Sequence, residues 1–392
     1  MAARHAAALL LLCAASAVAA PSVRVAPPAA AQASPSEAFG LAAEVTSSSP
    51  STLMLAWSSP QLPQLAAAAG ASARSPNLVL PAGALAPLAG QAVFFQLHAA
   101  DASGAANASV LVQVATPPYG GTLEVTPRVG YGLAQTFNLS APGWQGGDAE
   151  GNLTYTFYST PPGSHYTTGG LLVPLTAALR TPFATVLLPA AKALSDPLQL
   201  RVVVANAHGA TAVAATTAEV TWPTFTTASQ QVYISSLFVA QTQALIAAND
   251  TSSALALVGV LGTMLNAIAI AADGTSIDAA GRATLRGTLI GLVADAGAAA
   301  APSTAPACEA TAAAVSLLVA EPGAVTANAS ATALGVLSGV AAAGVALSGD
   351  AATHTGDALS SLVTASEVRG AAADAAVPAA VVGVLESVAA SL

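Results

Sequence analysis

The sequence has little charge and almost no lysine. Charged residues make up 7% of its 392 positions, and Lys192 is the only lysine. Lys and Arg together number 10 against 19 Asp and Glu, so the formal net charge is −9. Nucleic-acid binding depends on basic side chains that neutralise phosphates. The sequence therefore predicts that the protein does not bind nucleic acid.

Cysteine is also scarce, which excludes a disulfide scaffold. One of the two cysteines, Cys13, lies in a predicted signal peptide, so Cys308 is expected to be the single cysteine of the mature chain. An odd cysteine in a secreted protein indicates a free thiol, an intermolecular disulfide, or a partner outside this chain. The residues around Cys308 carry no activating positive charge, so a catalytic thiol is not predicted.

Sequence signatures of catalysis are missing. The chain has no GxxxxGK[ST], no HExxH, no GxSxG and no GxGxxG after a strand. The histidines are scattered and are interpreted as ordinary surface or core residues: His5, His98, His165, His208 and His354. We therefore predict a non-enzymatic protein with no cofactor and with no catalytic, cofactor-binding or metal-binding residues.

The N-terminus has the features of a secretion signal. Arg4 and His5 form a short polar start, Ala6–Cys13 is apolar, and Ala17–Ala19 fits the small-x-small cleavage rule. The alternative is an uncleaved membrane anchor, but the apolar segment is shorter than the span of about 20 residues that a bilayer requires. We predict a signal peptide over residues 1–19.

Glycosylation motifs agree with secretion. Five of the eight asparagines stand in an N-x-[ST] motif. These predicted N-glycosylation sites are Asn107, Asn138, Asn152, Asn249 and Asn328. Each is expected to lie on a solvated surface if it carries a glycan.

The first part of the mature chain has the pattern of a β-protein. Residues 20–35 are rich in Ala, Pro and Ser and are expected to form a disordered linker. Short alternating segments separated by Gly and Pro then predict two sandwiches of the fibronectin type III or immunoglobulin kind, over residues 36–115 and 116–223. In the first, Trp57 is a candidate core anchor, and Ala92–Ala99 alternates between two faces.

The segment Pro117–Tyr158 opens the second sandwich. Two turns alternate with strand residues, and Gly143-Trp144 precedes a polar loop that contains Asp148 and Glu150. Trp144 is interpreted as a core residue. Two carboxylates in a glycine-rich loop are interpreted as a solvated turn, with a Ca²⁺ contact as the alternative.

A helical period replaces the strand period at about Thr227. Residues 224–392 are predicted to be helical. The expected helices surround Ile234–Leu245, Leu257–Ile268, Asp278–Leu292, Cys308–Val319, Ala331–Leu347, a short segment at Leu359–Val363, and Val381–Leu392. The last pattern continues to the end of the sequence without a cap, which predicts a chain that is cut short.

The segment Thr251–Ala272 has no charge and is long enough to span a bilayer. Gly259, Gly262, Thr263 and Asn266 interrupt it, and no Lys or Arg flanks it as the positive-inside rule would favour. A buried helix in an Ala-rich bundle is the favoured interpretation, and a membrane span is the alternative.

Three segments in this order resemble the REJ (receptor for egg jelly) modules of polycystin-like membrane proteins. They are Asn77–Leu85 with Val93–Leu97, then Pro117–Tyr158, and then Leu318–Leu337. The resemblance implies sandwich domains followed by the start of a GAIN-like helical region, with membrane spans further along the chain in longer members. It also implies an extracellular protein or glycan ligand.

The sequence departs from that family in two ways. Some members have a cysteine pair near the positions of Leu123 and Ala141, and neither residue is cysteine here. The family's cleavage motif, His-Leu followed by Ser or Thr, is absent, and His354-Thr355 does not match it. The second sandwich is therefore expected to be held by packing, and autoproteolysis is not predicted.

Two hypotheses of function follow. The first is a non-catalytic extracellular module of a polycystin/REJ-like cell-surface protein, attached to the plasma membrane through a C-terminal part absent from this chain and serving interaction or adhesion and spacing. The alternative is a secreted structural or cell-wall-associated glycoprotein without a membrane part. Both place the chain in the secretory pathway.

Overall fold

The computed structural model describes residues 20–28, 30–132, 134–146, 152–160, 172–190, 197–221, 237–270, 279–370 and 376–391. These residues form two compact units. The first contains the described chain up to Pro117 together with Asn206–Thr211, and the second contains the β-strands and helices that follow.

The first unit is a small β-sandwich. Its strands are β1 (Ser22–Val25), β2 (Phe39–Leu41), β3 (Ala43–Thr46), β4 (Met54–Ser58), β5 (Leu78–Leu80), β6 (Ala92–Asp101) and β7 (Gly104–Gln113). They pair antiparallel as β1–β3, β2–β5 and β4–β6–β7. A short helix, α1 (Leu65–Ala69), follows β4.

The core of this unit confirms the alternation read from the sequence. On β6, Val93, Phe95 and Leu97 are buried, while the residues between them are partly or fully exposed. Trp57 is buried among the same core residues, and its Nε1 donates a hydrogen bond to Ser75 O at 2.8 Å. An indole buried in a core usually needs such a partner for its N–H group.

The prediction of a disordered linker over residues 20–35 is wrong. Ser22–Val25 forms β1, which pairs along its length with β3, and Ala33 is buried and bridges Val114. The prediction was wrong because it followed the Ala/Pro/Ser composition of the whole segment. The segment contains a short alternating strand, and the strand that pairs with it lies some twenty residues later in the sequence.

The second unit begins with another sandwich. Its strands are β8 (Glu124–Thr126), β9 (Val129–Tyr131), β10 (Thr136–Ser140), β11 (Thr154–Ser159), β12 (Val173–Pro174), β13 (Phe183–Leu187), β14 (Leu198–Ala205) and β15 (Thr211–Thr221). One sheet has the order β13-β10-β8, and the other has the order β12-β11-β14-β15-β9. The predicted strands are present, whereas β9, which pairs parallel to the end of β15, was not predicted.

The remaining described residues are mainly helical. The helices are α2 (Val239–Ala247), α3 (Thr251–Ile270), α4 (Ala279–Ala299), α5 (Ala305–Val319), α6 (Ala327–Ala341), α7 (Gly349–Arg369) and α8 (Ala376–Ser391). Two β-sandwiches followed by helices are the predicted fold class, which is confirmed.

The sandwich and the helices of the second unit share one continuous core. Helix α3 packs against β12, α2, α4 and α5. Its glycines permit this close packing: a Cβ at Gly259 would lie 3.2 Å from Val173 Cγ1, and one at Gly262 would lie 3.0 Å from Leu317 Cβ. None of the described helices is both long enough and apolar enough to cross a bilayer. The favoured interpretation of α3 as a buried helix is confirmed.

The prediction of a short helix at Leu359–Val363 is wrong in length, because α7 has 21 residues. In the first half of α7, buried residues such as Ala351, His354 and Thr355 are small or polar. The sequence of this half therefore shows no stripe of large apolar side chains that would predict a helix. The predicted boundary at residues 223 and 224 stays a prediction, because residues 222–236 lie outside the described ranges.

Candidate functional site

The five predicted glycosylation sites are spread over both units and are all exposed. Their positions are Asn107 on β7, Asn138 on β10, Asn152 just before β11, Asn249 just after α2, and Asn328 in the first turn of α6. Asn107 belongs to the first unit and the other four to the second, each on a different element or loop.

Two of these asparagines make hydrogen bonds that leave the glycan-bearing atom uninvolved. Asn107 Oδ1 lies 2.7 Å from His98 Nδ1, and Asn138 Oδ1 accepts a hydrogen bond from Thr185 Oγ1 at 2.8 Å. Both contacts use the amide oxygen, whereas N-glycosylation modifies the amide nitrogen. The local geometry is therefore compatible with glycans at both positions.

The family-like segment Pro117–Tyr158 contains a close packing contact between Gly121 and Trp144. Tyr119 and Gln145 exchange backbone hydrogen bonds at 3.1 and 2.9 Å, which places Gly121 beside Trp144. A Cβ at Gly121 would lie 2.2 Å from the Trp144 ring, so only glycine fits there. Trp144 is partly buried and packs against the core, as predicted. Asp148 and Glu150 lie outside the described residues.

Cys308 is a free, buried thiol on α5. Burial raises its pKa, which keeps the thiol protonated and poorly nucleophilic. Among the described residues, no group of three or more His, Cys, Asp and Glu side chains could hold a metal ion.

A buried polar cluster in the second unit was not predicted. Glu309 of α5 is only 8% exposed, and its Oε2 accepts a hydrogen bond from Ser348 Oγ at 3.1 Å. The same Ser348 hydroxyl accepts a hydrogen bond from Ala351 N and so caps α7. One turn further along, the buried His354 donates from Nε2 to Leu172 O at 3.0 Å, since a carbonyl can only accept.

The electrostatics of this cluster follow from burial and from excess negative charge. Burial raises the pKa of Glu309, and the nearby Asp350 carboxylate raises it further. Burial and the Glu309 carboxylate both raise the pKa of the Tyr158 hydroxyl, so Tyr158 stays neutral. Burial lowers the pKa of His354, which favours the neutral imidazole. Glu309 Oε1 is buried and makes no hydrogen bond with the described residues.

Glu309 and Tyr158 line a cavity of about 490 Å³ between the second sandwich and the helices. Strands β11 and β12 form one side, and the first turns of α3 and α5 form the other. Apart from the Glu309 carboxylate, the described lining residues contribute small or apolar side chains and hydroxyl groups. The cavity is the strongest candidate for a binding site in the described part of the chain.

A second polar cluster joins α3, α4 and α5. The fully buried Arg286 of α4 donates hydrogen bonds to four oxygens, which are Leu317 O, Leu318 O, Asn266 Oδ1 and Glu321 Oε2. Arg282 also pairs with Glu321, at 2.9 Å. This cluster satisfies carbonyls at the end of α5 and does not open onto the cavity, so its role is structural.

Comparison with protein families gives a match that covers more than half of the chain. The REJ domain model matches residues 22–260, from the start of β1 into α3. The chain belongs to the REJ domain family. Curated proteins show no match to the chain. The predicted resemblance is therefore confirmed for the REJ domain, and the GAIN-like identity of the later helices stays a prediction.

Solved structures of immunoglobulin-domain proteins show weak similarity to about half of this chain. A structure on Dscam isoform specificity has 10% identity and a TM-score of 0.20, and it covers 52% of this chain and 46% of that one. The titin Z1Z2–telethonin structure has 14% identity, a TM-score of 0.21 and coverages of 53% and 99%. The structure of Drosophila OTK extracellular domains 3–5 has 10% identity and a TM-score of 0.19, and it covers 48% of this chain and 57% of that one. The chain thus spans less than half of the Dscam structure.

Proposed function

We propose that this REJ-domain chain is a non-catalytic extracellular module of a polycystin-like cell-surface protein, serving interaction or adhesion and spacing. The family match over residues 22–260 is the observation that carries the proposal. Site-level evidence is needed in addition, because a fold alone does not define a function. The exposure of all five predicted glycosylation sites supports an extracellular location.

The architecture also suits a spacer with an interaction surface. The first unit has its own core, as expected of an independently folded module. In the second unit, strands and helices share a core, which makes that unit rigid enough to hold a surface or cavity in a fixed shape. The ligand in this proposal is an extracellular protein or glycan.

Fractionation of the native protein tests the location and the membrane attachment. An antibody against the first unit should detect the protein on intact, unpermeabilised cells and in the membrane fraction, on a chain longer than 392 residues. Recovery of the native product only from the medium or from a wall extract would instead support the secreted structural glycoprotein. Recovery from the cytosol would contradict both.

A further inference from the structure

We propose that the cavity between the second sandwich and α3 and α5 binds an organic ammonium group carried on an apolar body. The inference stands on the geometry of the cavity and does not depend on the proposed function. Ligands of this class include free amphiphilic amines and the lysine side chain of a partner protein.

The first argument is an unsatisfied acceptor that faces the cavity. Glu309 is more than nine-tenths buried and lines the cavity. The Tyr158 hydroxyl lies near enough to the carboxylate to lower the Glu309 pKa, yet no described residue donates a hydrogen bond of good geometry to Glu309 Oε1. A buried carboxylate oxygen without a donor is costly, and hydrogen bonds to charged groups are among the stronger ones in proteins. An ammonium N–H placed in the cavity would satisfy this oxygen.

The second argument is the charge around the cavity. Asp350 lies close enough to Glu309 to act on it electrostatically, and Asp250 caps α3, whose first residues line the cavity. The lining residues within the described ranges include neither Lys nor Arg. A cationic ligand group would therefore balance a local excess of negative charge. The attraction between the cation and the carboxylates strengthens as water is excluded from the cavity.

Two helix N-termini also reach the cavity, and each has its own cap. On α5, Thr304 Oγ1 accepts a hydrogen bond from Ala307 N, and Pro306 has no N–H group to offer. On α3, Asp250 Oδ1 accepts from Ser253 N. These first turns consequently present few free amide groups, so an anion is not the favoured ligand.

The rest of the lining fits an apolar body. Leu255, Pro174 and Ala310 provide apolar contacts. The Tyr158 side chain also lines the cavity, and its hydroxyl interacts with Glu309; an aromatic ring in such a site can contact a cation. The volume of about 490 Å³ lies within the usual range for small-molecule sites. A carboxylate and an aromatic ring in an otherwise apolar cavity match a ligand with one charged end.

The test uses a matched pair of probes on the full chain. Isothermal titration at neutral pH compares n-hexylammonium with 1-hexanol, which has the same apolar tail and no charge. The ammonium should bind the wild-type protein about tenfold more tightly or better, as expected for a hydrogen bond to a buried charge. The variant Glu309→Gln should remove this preference by weakening ammonium binding to about the affinity of hexanol. Glu386→Gln, at an exposed position on α8, should change neither affinity.

A second variant keeps the test valid if Glu309→Gln does not fold. Ala178 lines the cavity and is itself exposed, so Ala178→Trp should block the entrance without disturbing the core and should abolish binding of both probes. Equal binding of the two probes to the wild type would overturn the proposal, as would undiminished hexylammonium binding in either variant. Binding of Nα-acetyl-lysine methylamide as tightly as hexylammonium would assign the site to a partner's lysine, and its failure to bind would assign the site to a free amine.

Discussion

Replacing Arg286 with methionine is expected to lower the free energy of unfolding of the second unit by about 3–5 kcal/mol. The guanidinium is fully buried, and burial lowers its pKa while Glu321 opposes that shift. Its hydrogen bonds have lengths of 3.2 Å to Leu317 O, 2.8 Å to Leu318 O, 2.7 Å to Asn266 Oδ1 and 3.0 Å to Glu321 Oε2. The side chain therefore connects three helices through one charged group.

The magnitude follows from the groups that lose their donor. Leu317 O still accepts a hydrogen bond from Asn266 Nδ2, and Glu321 keeps its pair with Arg282. Leu318 O and Asn266 Oδ1 lose the Arg286 donor, and each unsatisfied buried acceptor costs about 1–3 kcal/mol. Methionine is long and apolar, so it fills part of the space and limits the cavity term.

The assay is urea denaturation followed by far-UV circular dichroism, which reports mainly on the helices of the second unit. The control is Arg180→Met, the same substitution at an exposed position in the same unit, which should change the stability by less than about 0.5 kcal/mol. A loss of less than about 1 kcal/mol in Arg286→Met would refute the reasoning, because the cluster would then contribute no more than a surface ion pair.

Three further predictions concern packing and pH. Gly262→Ala should destabilise the second unit by about 1–3 kcal/mol through overpacking, whereas Gly291→Ala, with open space around its Cβ position, should stabilise α4 by up to about 1 kcal/mol; equal effects in thermal unfolding would contradict this. Gly121→Ala should displace the Trp144 ring and change the near-UV circular dichroism, and an unchanged spectrum would speak against their packing. Because burial lowers the pKa of His354, the unfolded state binds the proton more readily, so stability should fall as the pH drops below about 6.5. His354→Gln should weaken that dependence, and identical pH profiles of the variant and the wild type would refute the assignment.

The strands of the REJ domain could be predicted largely from local pattern. β6 alternates strictly and is flanked by turn residues, so its buried face was readable from Val93, Phe95 and Leu97. β1 and β9 were missed because each is short and depends on a partner distant in sequence. A local pattern does not contain that pairing.

The candidate cavity was beyond sequence reasoning for the same reason. Tyr158 lies on β11, Glu309 lies on α5 and Ser348 caps α7, so the three residues are far apart in the chain and no motif connects them. His354 lies in the core, one of the two locations predicted for it, but its contact with Leu172 O depends on the packing of α7 against the sandwich. An isolated Glu in an Ala-rich helical pattern was the one local signal, and by itself it indicates a solvated side chain.

The predicted glycosylation sites show the opposite case. Their motif is entirely local, so the sequence alone predicts all five positions, whereas their exposure required a structure. Asn249 has a φ of 61°, in the left-handed region that Asn tolerates better than most residues, so it also serves as the turn after α2. A single residue can thus combine a backbone role with a predicted modification.

Mapping of glycans on the native protein tests the extracellular assignment most directly. Enzymatic removal of N-glycans in heavy-oxygen water converts each occupied Asn to a labelled Asp, which peptide mass spectrometry can locate. The account predicts labelled Asp at several of the five positions Asn107, Asn138, Asn152, Asn249 and Asn328, and a mature N-terminus at Ala20. A native protein with no label at any of the five and with residues 1–19 still attached would contradict it.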